Sequence, residues 1–168
     1  METGEIFVSA KDGVHIVRVT GNASFACAPS LRLLAQSLEK EPFKGIVIDL
    51  KECLWMDSTF MGVLAMLGLR AKKNGVPAEI YNASEQNTGL LCGLGLKKIF
   101  EFKTGDRAER GVAMEQAPAT PENSARTVLE AHETLMDVDD ANKKLFGAVV
   151  DIVRKDVNRM EGENKKLD

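Results

Sequence analysis

The sequence predicts an α/β protein: a mixed β-sheet of four to five strands, with helices mainly on one face, followed by a long C-terminal helical extension. Two observations support this fold class. Short runs typical of strands alternate with segments of helical spacing over residues 4–103, and an uninterrupted helical pattern occupies residues 121–161. We therefore predict a domain over residues 1–103, a linker over residues 104–120, and a C-terminal helix or helical hairpin over residues 121–161.

The first two strands are expected to form a β-hairpin. Residues 6–10 are short and apolar, residues 11–13 supply a turn with a glycine, and residues 14–20 alternate with β-branched side chains. A helix follows, because the apolar residues Leu31, Leu34, Ala35 and Leu38 have helical spacing.

The remaining elements of the domain alternate between strand and helix. Residues 45–50 form an apolar run, as in a strand that is covered on both faces, and we expect this strand to end at Asp49. A strongly apolar helix begins near Phe60 and ends in basic residues and Gly75. A strand over residues 76–82, a short helix from Ser84 and an edge strand over residues 99–102 complete the order β-β-α-β-α-β-α-β, which implies a largely parallel or mixed sheet.

Composition argues against several function classes. The net charge of −3 is spread without a concentrated positive face, so we expect no nucleic-acid partner. No run approaches the roughly 18 apolar residues of a membrane span, and the N-terminus has no signal-peptide pattern, so we expect a cytoplasmic protein without a membrane partner. The three cysteines and two histidines are far apart, which predicts buried thiols and no metal site, disulfide or cofactor.

The candidate site is the pair Asp57-Ser58, directly before the apolar helix. Either side chain can cap the free backbone N–H groups at a helix start, so the simplest interpretation is that both residues only cap the helix. We expect no histidine, lysine or glycine-rich phosphate loop near this pair, so we predict no enzymatic activity.

A longer pattern surrounds this pair. The apolar strand ending at Asp49, the run Trp55-Met-Asp57-Ser58-Thr59 and the leucine-rich helix after Gly62 are followed by a second element over residues 93–100 with the pattern Gly-Leu-x-x-x-Phe. Together these features resemble the STAS domain of the anti-sigma factor antagonist family, over about residues 4–103. Phe60 stands where that family commonly has glycine, and we expect its ring to fill part of the partner surface.

The resemblance implies a phosphorylation switch. The serine matching Ser58 would be phosphorylated by a partner that is both an anti-sigma factor and a serine kinase, and a serine phosphatase would reverse the step. The unphosphorylated protein would bind that partner and thereby free a sigma factor. Thr59 is the alternative acceptor. The resemblance and the neighbourhood together give the predicted partner-binding residues: Asp49, Asp57, Ser58, Thr59, Phe60 and Met61.

A phosphate at Ser58 is expected to act on the interface and not on the fold. It adds a charge of about −1.5 to −2, and a helix N-terminus stabilises such an anion by about 0.3–1 kcal/mol while Asp57 repels it. The alternative is a constitutive scaffold or subunit of a transport or signalling complex, in which Ser58 only caps its helix. A third alternative, small-ligand sensing at the helix start, has no specific support in the sequence.

The C-terminal segment has three alternative roles. Its apolar stripe is suited to self-association as a homodimer, to folding back on the domain, or to docking on a different protein. A single helix of this length would span about 60 Å and outreach the domain. A break within residues 137–141 or at Gly147 would give a helical hairpin.

Overall fold

The structure, a computed structural model, describes residues 3–107, 109–118 and 120–167. The elements along the chain are β1 (Glu5–Lys11), β2 (Val14–Ala23), α1 (Ala28–Ser37), β3 (Gly45–Met56), α2 (Ser58–Lys73), β4 (Ala78–Tyr81), α3 (Glu85–Gly93), a 3₁₀ turn (Leu96–Lys98), β5 (Glu101–Lys103), β6 (Val112–Ala113), α4 (Pro121–Val138) and α5 (Ala141–Leu167).

The strands form one mixed sheet in the order β5-β4-β3-β2-β1-β6. β1 pairs antiparallel with β2 and β6, and the β2–β3, β3–β4 and β4–β5 pairs are parallel. The predicted α/β class with a mixed sheet is confirmed. The sheet has six strands where four to five were expected, because the two residues of β6, within the segment predicted as a linker, add a short strand beside β1.

The main core lies between one face of the sheet and helices α1 and α2. Val17 and Val19 of β2 are separated by Arg18, and Ile48 and Leu50 of β3 are separated by Asp49; the four apolar residues are buried in this core. Because side chains alternate along a strand, Asp49 points to the opposite face of the sheet.

Strand β3 corrects one prediction. The strand does not end at Asp49 but continues to Met56, pairing with β2 as far as Ala23 through two register shifts. Eight residues of extended chain, roughly 26 Å, separate Asp49 from Asp57 along the backbone. The two carboxylates are therefore not neighbours at one strand end.

The segment after β5 crosses the sheet face opposite α1 and α2. Gly105 exchanges two hydrogen bonds with the Asn82 side chain, of 2.8 and 3.0 Å. The Arg107 guanidinium then lies 4.8 Å from the Tyr81 ring centroid. The Arg18 side chain donates to the Arg110 carbonyl at 3.2 Å before β6 pairs with β1. These contacts attach the segment to strands from one side of the sheet to the other.

Helices α4 and α5 form an antiparallel hairpin that folds back on the domain. Thr120 caps α4 by accepting from the Asn123 N–H, and a proline occupies the first turn. The Arg126–Glu161 ion pair, at 2.7 Å, joins the start of α4 to the last turns of α5. The break falls in the acidic run, between the end of α4 and the start of α5, and Gly147 continues the helix. Within the described part of the chain, no helix has the length and apolarity that crossing a membrane requires.

Candidate functional site at the start of helix α2

Asp57 is the N-cap of α2 and fixes the position of the residues beside it. One carboxylate oxygen accepts from the Phe60 N–H at 2.8 Å, and the other accepts from the Phe25 N–H at 2.7 Å. The Asp57 N–H donates to the carbonyl of Ala23 at 3.0 Å. This residue therefore joins the start of α2 to the turn between β2 and α1, as expected of an N-cap aspartate.

Ser58 is the first residue of α2, is half-buried, and is hydrogen-bonded to a histidine of α4. Its Oγ lies 2.9 Å from Nε2 of His132, whose Nδ1 lies 2.7 Å from the carbonyl oxygen of Val128. Because a carbonyl can only accept, Nδ1 carries a hydrogen, and in the neutral imidazole Nε2 is then the acceptor. The Ser58 hydroxyl therefore donates to His132.

His132 is enclosed where α4 crosses α2. The residue is 4% exposed, and its ring packs edge-on against Phe146 of α5 at a centroid distance of 4.9 Å. The close approach of the two helices depends on Gly62, because a Cβ at that position would lie only 2.4 Å from the carbonyl oxygen of Ala131. The glycine after the Asp-Ser pair thus provides the space that α4 occupies.

The prediction that no histidine lies near Asp57-Ser58 is wrong, because His132 reaches Ser58 across 74 positions of sequence. One signal was present. Helix α2 has apolar residues around almost its whole circumference, so the sheet alone could not cover them. That pattern indicates a second covering layer, which α4 supplies.

The other predicted partner-binding residues are mostly buried. Thr59 and Met61 are 6% and 5% exposed, and Phe60 is fully enclosed in the core. The expectation that the Phe60 ring fills part of a partner surface is therefore wrong. Asp49 is also buried and lies on the far face of the sheet. The structure brings together Asp57 and Ser58 as half-buried surface groups, but not Asp49.

Three exposed apolar side chains near this site were not predicted. Phe25, Leu54 and Trp55 are 60%, 62% and 43% exposed. Leu54 and Trp55 are among the last residues of strand β3, just before Asp57. The backbone N–H of Phe25 donates a hydrogen bond to the Asp57 carboxylate. Large apolar side chains left exposed around one site are candidates for an interaction surface. We call these three residues the apolar rim.

The cysteines are divided between core and surface. Cys27 and Cys53 are buried as expected, whereas Cys92 is exposed. Burial raises the pKa of the Cys27 thiol, and it raises the pKa of Cys53 to about 11. Both core thiols are therefore protonated at neutral pH. Among residues 3–107, 109–118 and 120–167, no three acidic, histidine or cysteine side chains are grouped to hold a metal ion.

A family model of the STAS domain matches residues 6–108. The chain belongs to the STAS domain family. Among solved structures, this STAS domain is similar to the anti-sigma factor antagonist SpoIIAA in its unphosphorylated form. That match has 10% identity and a TM-score of 0.51, covering 61% of this chain and 89% of that one.

Two further solved structures are similar to this chain. An RsbS variant from Moorella thermoacetica matches with 18% identity and a TM-score of 0.50, over 63% of this chain and 90% of that one. The murine anion transporter Slc26a9 matches with 18% identity and a TM-score of 0.43, over 58% of this chain and 19% of that one. The SpoIIAA and RsbS matches show the fold alone.

Proposed function

We propose that this STAS protein is a non-enzymatic, cytoplasmic anti-sigma factor antagonist that works by partner switching. In its unphosphorylated form it binds an anti-sigma factor with serine kinase activity. Phosphorylation of Ser58 releases that partner, and a serine phosphatase restores binding. The observation that carries the proposal is the placement of the Ser58 hydroxyl in the first turn of α2, next to the apolar rim.

The geometry supports a switch that acts on an interface. The first turn of a helix stabilises an added anion, so phosphoserine at position 58 is compatible with α2. A partner docked on the apolar rim would have to desolvate that dianion beside the Asp57 carboxylate, which opposes binding by several kcal/mol. A loss of that size corresponds to a decrease in affinity of about a hundredfold or more.

Phosphopeptide mass spectrometry of the protein from its native cells tests the switch. We expect phosphate on Ser58 and not on Thr59, because the Thr59 side chain is buried. In binding assays with the co-purified kinase partner, Ser58→Asp should bind about a hundredfold more weakly than Ser58→Ala. Ser37→Asp is the matched control, because it adds the same charge on an exposed serine of α1 and should leave affinity unchanged.

The alternative function is a constitutive scaffold or subunit of a transport or signalling complex. One observation favours it: the Ser58 hydroxyl is already satisfied by His132, and both Asp57 oxygens accept backbone N–H groups. These bonds are what a purely structural helix start requires. Absence of phosphate at Ser58 under all growth conditions, together with unchanged partner binding by Ser58→Asp, would support the scaffold.

Self-association through the C-terminal helices also stays a proposal. Leu145, Val149 and Ile152 form an exposed stripe on the outer face of α5, at 61%, 41% and 63% exposure. Sedimentation of Ile152→Glu tests this stripe, with Asn158→Glu on the same helix as the control. A dimer should dissociate in the first variant only, and equal masses for both variants and the native chain would exclude the stripe as its interface.

A further inference from the structure

The α4–α5 hairpin is attached to the domain on both sides of the Ser58 site. On one side, Arg32 of α1 forms an ion pair with Glu130 of α4. On the other, the Asn142 side chain at the start of α5 is almost fully buried and donates to the Leu94 carbonyl at 2.9 Å. The crossing over α2 lies between these two attachments, so the hairpin is held across the N-terminal half of α2.

A further contact attaches the connection between α4 and α5 to the domain. Asp139, between α4 and α5, forms an ion pair of 3.0 Å with Lys98 in the 3₁₀ turn after α3. Asn142 also donates to the Leu135 carbonyl at 2.8 Å and so fixes the angle between the two helices. The hairpin is therefore a built surface layer with polar anchors of its own.

The docked hairpin is incompatible with a phosphate on Ser58. The hydroxyl hydrogen that His132 accepts is the atom that phosphorylation replaces, so the 2.9 Å bond is lost. With His132 in its neutral form, three acceptor oxygens would then face the lone pair of Nε2, which also accepts. The imidazole cannot turn away easily, because Nδ1 is bonded to the Val128 carbonyl and the ring packs on Phe146.

We propose that the α4–α5 hairpin is an internal cover of Ser58, and that hairpin docking and phosphorylation of Ser58 exclude each other. The inference deepens the proposed function, and its relevance in the cell rests on that function. A kinase reaches Ser58 only in the open state, and the phosphorylated chain stays open at this helix.

The cover sets how strongly a partner or kinase engages the site. The apparent dissociation constant equals the intrinsic one divided by the fraction of molecules in the open state. The apolar rim stays exposed while the hairpin is docked, so a partner can make first contact there and Ser58 becomes available afterwards. Any change that loosens the hairpin should therefore tighten partner binding.

The mutual exclusion of hairpin docking and Ser58 phosphorylation is tested in the full chain by incorporating phosphoserine at position 58 during synthesis. Hydrogen exchange of the α4 amides should accelerate at least about tenfold relative to the unmodified chain, since local opening free energies set these rates. Exchange in β3 should not change. Phosphoserine incorporated at the exposed position 37 is the control and should have no effect on α4. Equal α4 protection with and without phosphate at position 58 would overturn the inference.

The cover is tested by the reactivity of a thiol placed at position 58. In a Ser58→Cys, Cys92→Ser background, we compare alkylation by iodoacetamide with and without Ala131→Glu, which puts a charge into the contact with Gly62. The introduced thiol should react at least about tenfold faster when the hairpin is loosened. Ala148→Glu, on the exposed side of α5, is the matched control and should not change the rate.

The buried thiols report whether the domain itself stays folded. Cys27 and Cys53 lie in the core and should stay unreactive. If Ala131→Glu exposes them, the milder Ala131→Leu replaces it. Equal alkylation rates at position 58 in the loosened and control variants would overturn the cover. Neither experiment uses a kinase, so both can succeed even if no phosphate is found on Ser58 in native cells, which would count against the proposed function alone.

Discussion

Replacing Gly62 with alanine should loosen the hairpin without unfolding the domain. The new methyl would lie 2.4 Å from the Ala131 carbonyl oxygen and 2.7 Å from the Ala131 Cβ. Because the nearest of these atoms are backbone, α4 must shift, and overpacking of this kind costs about 1–3 kcal/mol. Alanine also favours α2 by about 0.8–1.0 kcal/mol through helix propensity. The domain should therefore keep its stability while hairpin docking weakens.

Hydrogen exchange measures this difference directly. A loss of about 1–3 kcal/mol in docking corresponds to an increase of about fivefold to 150-fold in the exchange rates of the α4 amides. Gly89→Ala is the matched control, because Gly89 lies within α3 and a Cβ there would meet nothing within 4 Å. Unchanged α4 exchange in Gly62→Ala would refute the reasoning that this glycine permits the close helix crossing.

Three further changes test the anchors of the site. Asp57→Ala removes the acceptor of two backbone N–H groups and should lower the free energy of unfolding by about 1–2 kcal/mol in urea titrations, whereas Asp57→Ser, which can still cap, should lower it less. Asn142→Ala removes the two hydrogen bonds that this buried side chain donates to the Leu94 and Leu135 carbonyls and should weaken hairpin protection in hydrogen exchange by about 1–3 kcal/mol; wild-type protection would contradict that role. The Ala141 N–H and the Lys98 ammonium lower the pKa of Asp139. The stability that Asp139 adds is therefore present above its ordinary pKa and lost as pH falls through the lowered value, so Asp139→Asn should flatten the acid limb of a melting-temperature profile.

The local elements of the fold were predictable because each has its own sequence period. Alternating residues in β2 and the apolar run of β3 predict strands, and Thr120-Pro121 predicts the start of α4, where both residues take up the expected cap positions. The end of β3 was misplaced because Asp49 interrupts the apolar run. The structure accommodates that carboxylate on the face opposite α1 and α2, so the strand continues.

The candidate site was only half predictable from the sequence. Asp57 and Ser58 are neighbours in the chain, and their place before an apolar helix is a local signal. His132 belongs to a separate helix, and no periodicity specifies which surface that helix covers. The small residues Gly62 and Ala131 make the crossing tight, but their pairing becomes apparent only when the two helices are brought together.

The short strand β6, which follows the segment after β5, has a consequence for how copies of this protein can associate. β6 occupies backbone groups of β1 at Phe7 and Val8, and the opposite border of the sheet is β5, only three residues long and carrying Glu101 and Lys103. Short or charged borders resist the addition of a foreign strand. The borders of the sheet therefore disfavour growth by main-chain pairing, which favours contacts with other molecules through exposed side chains such as those of the apolar rim.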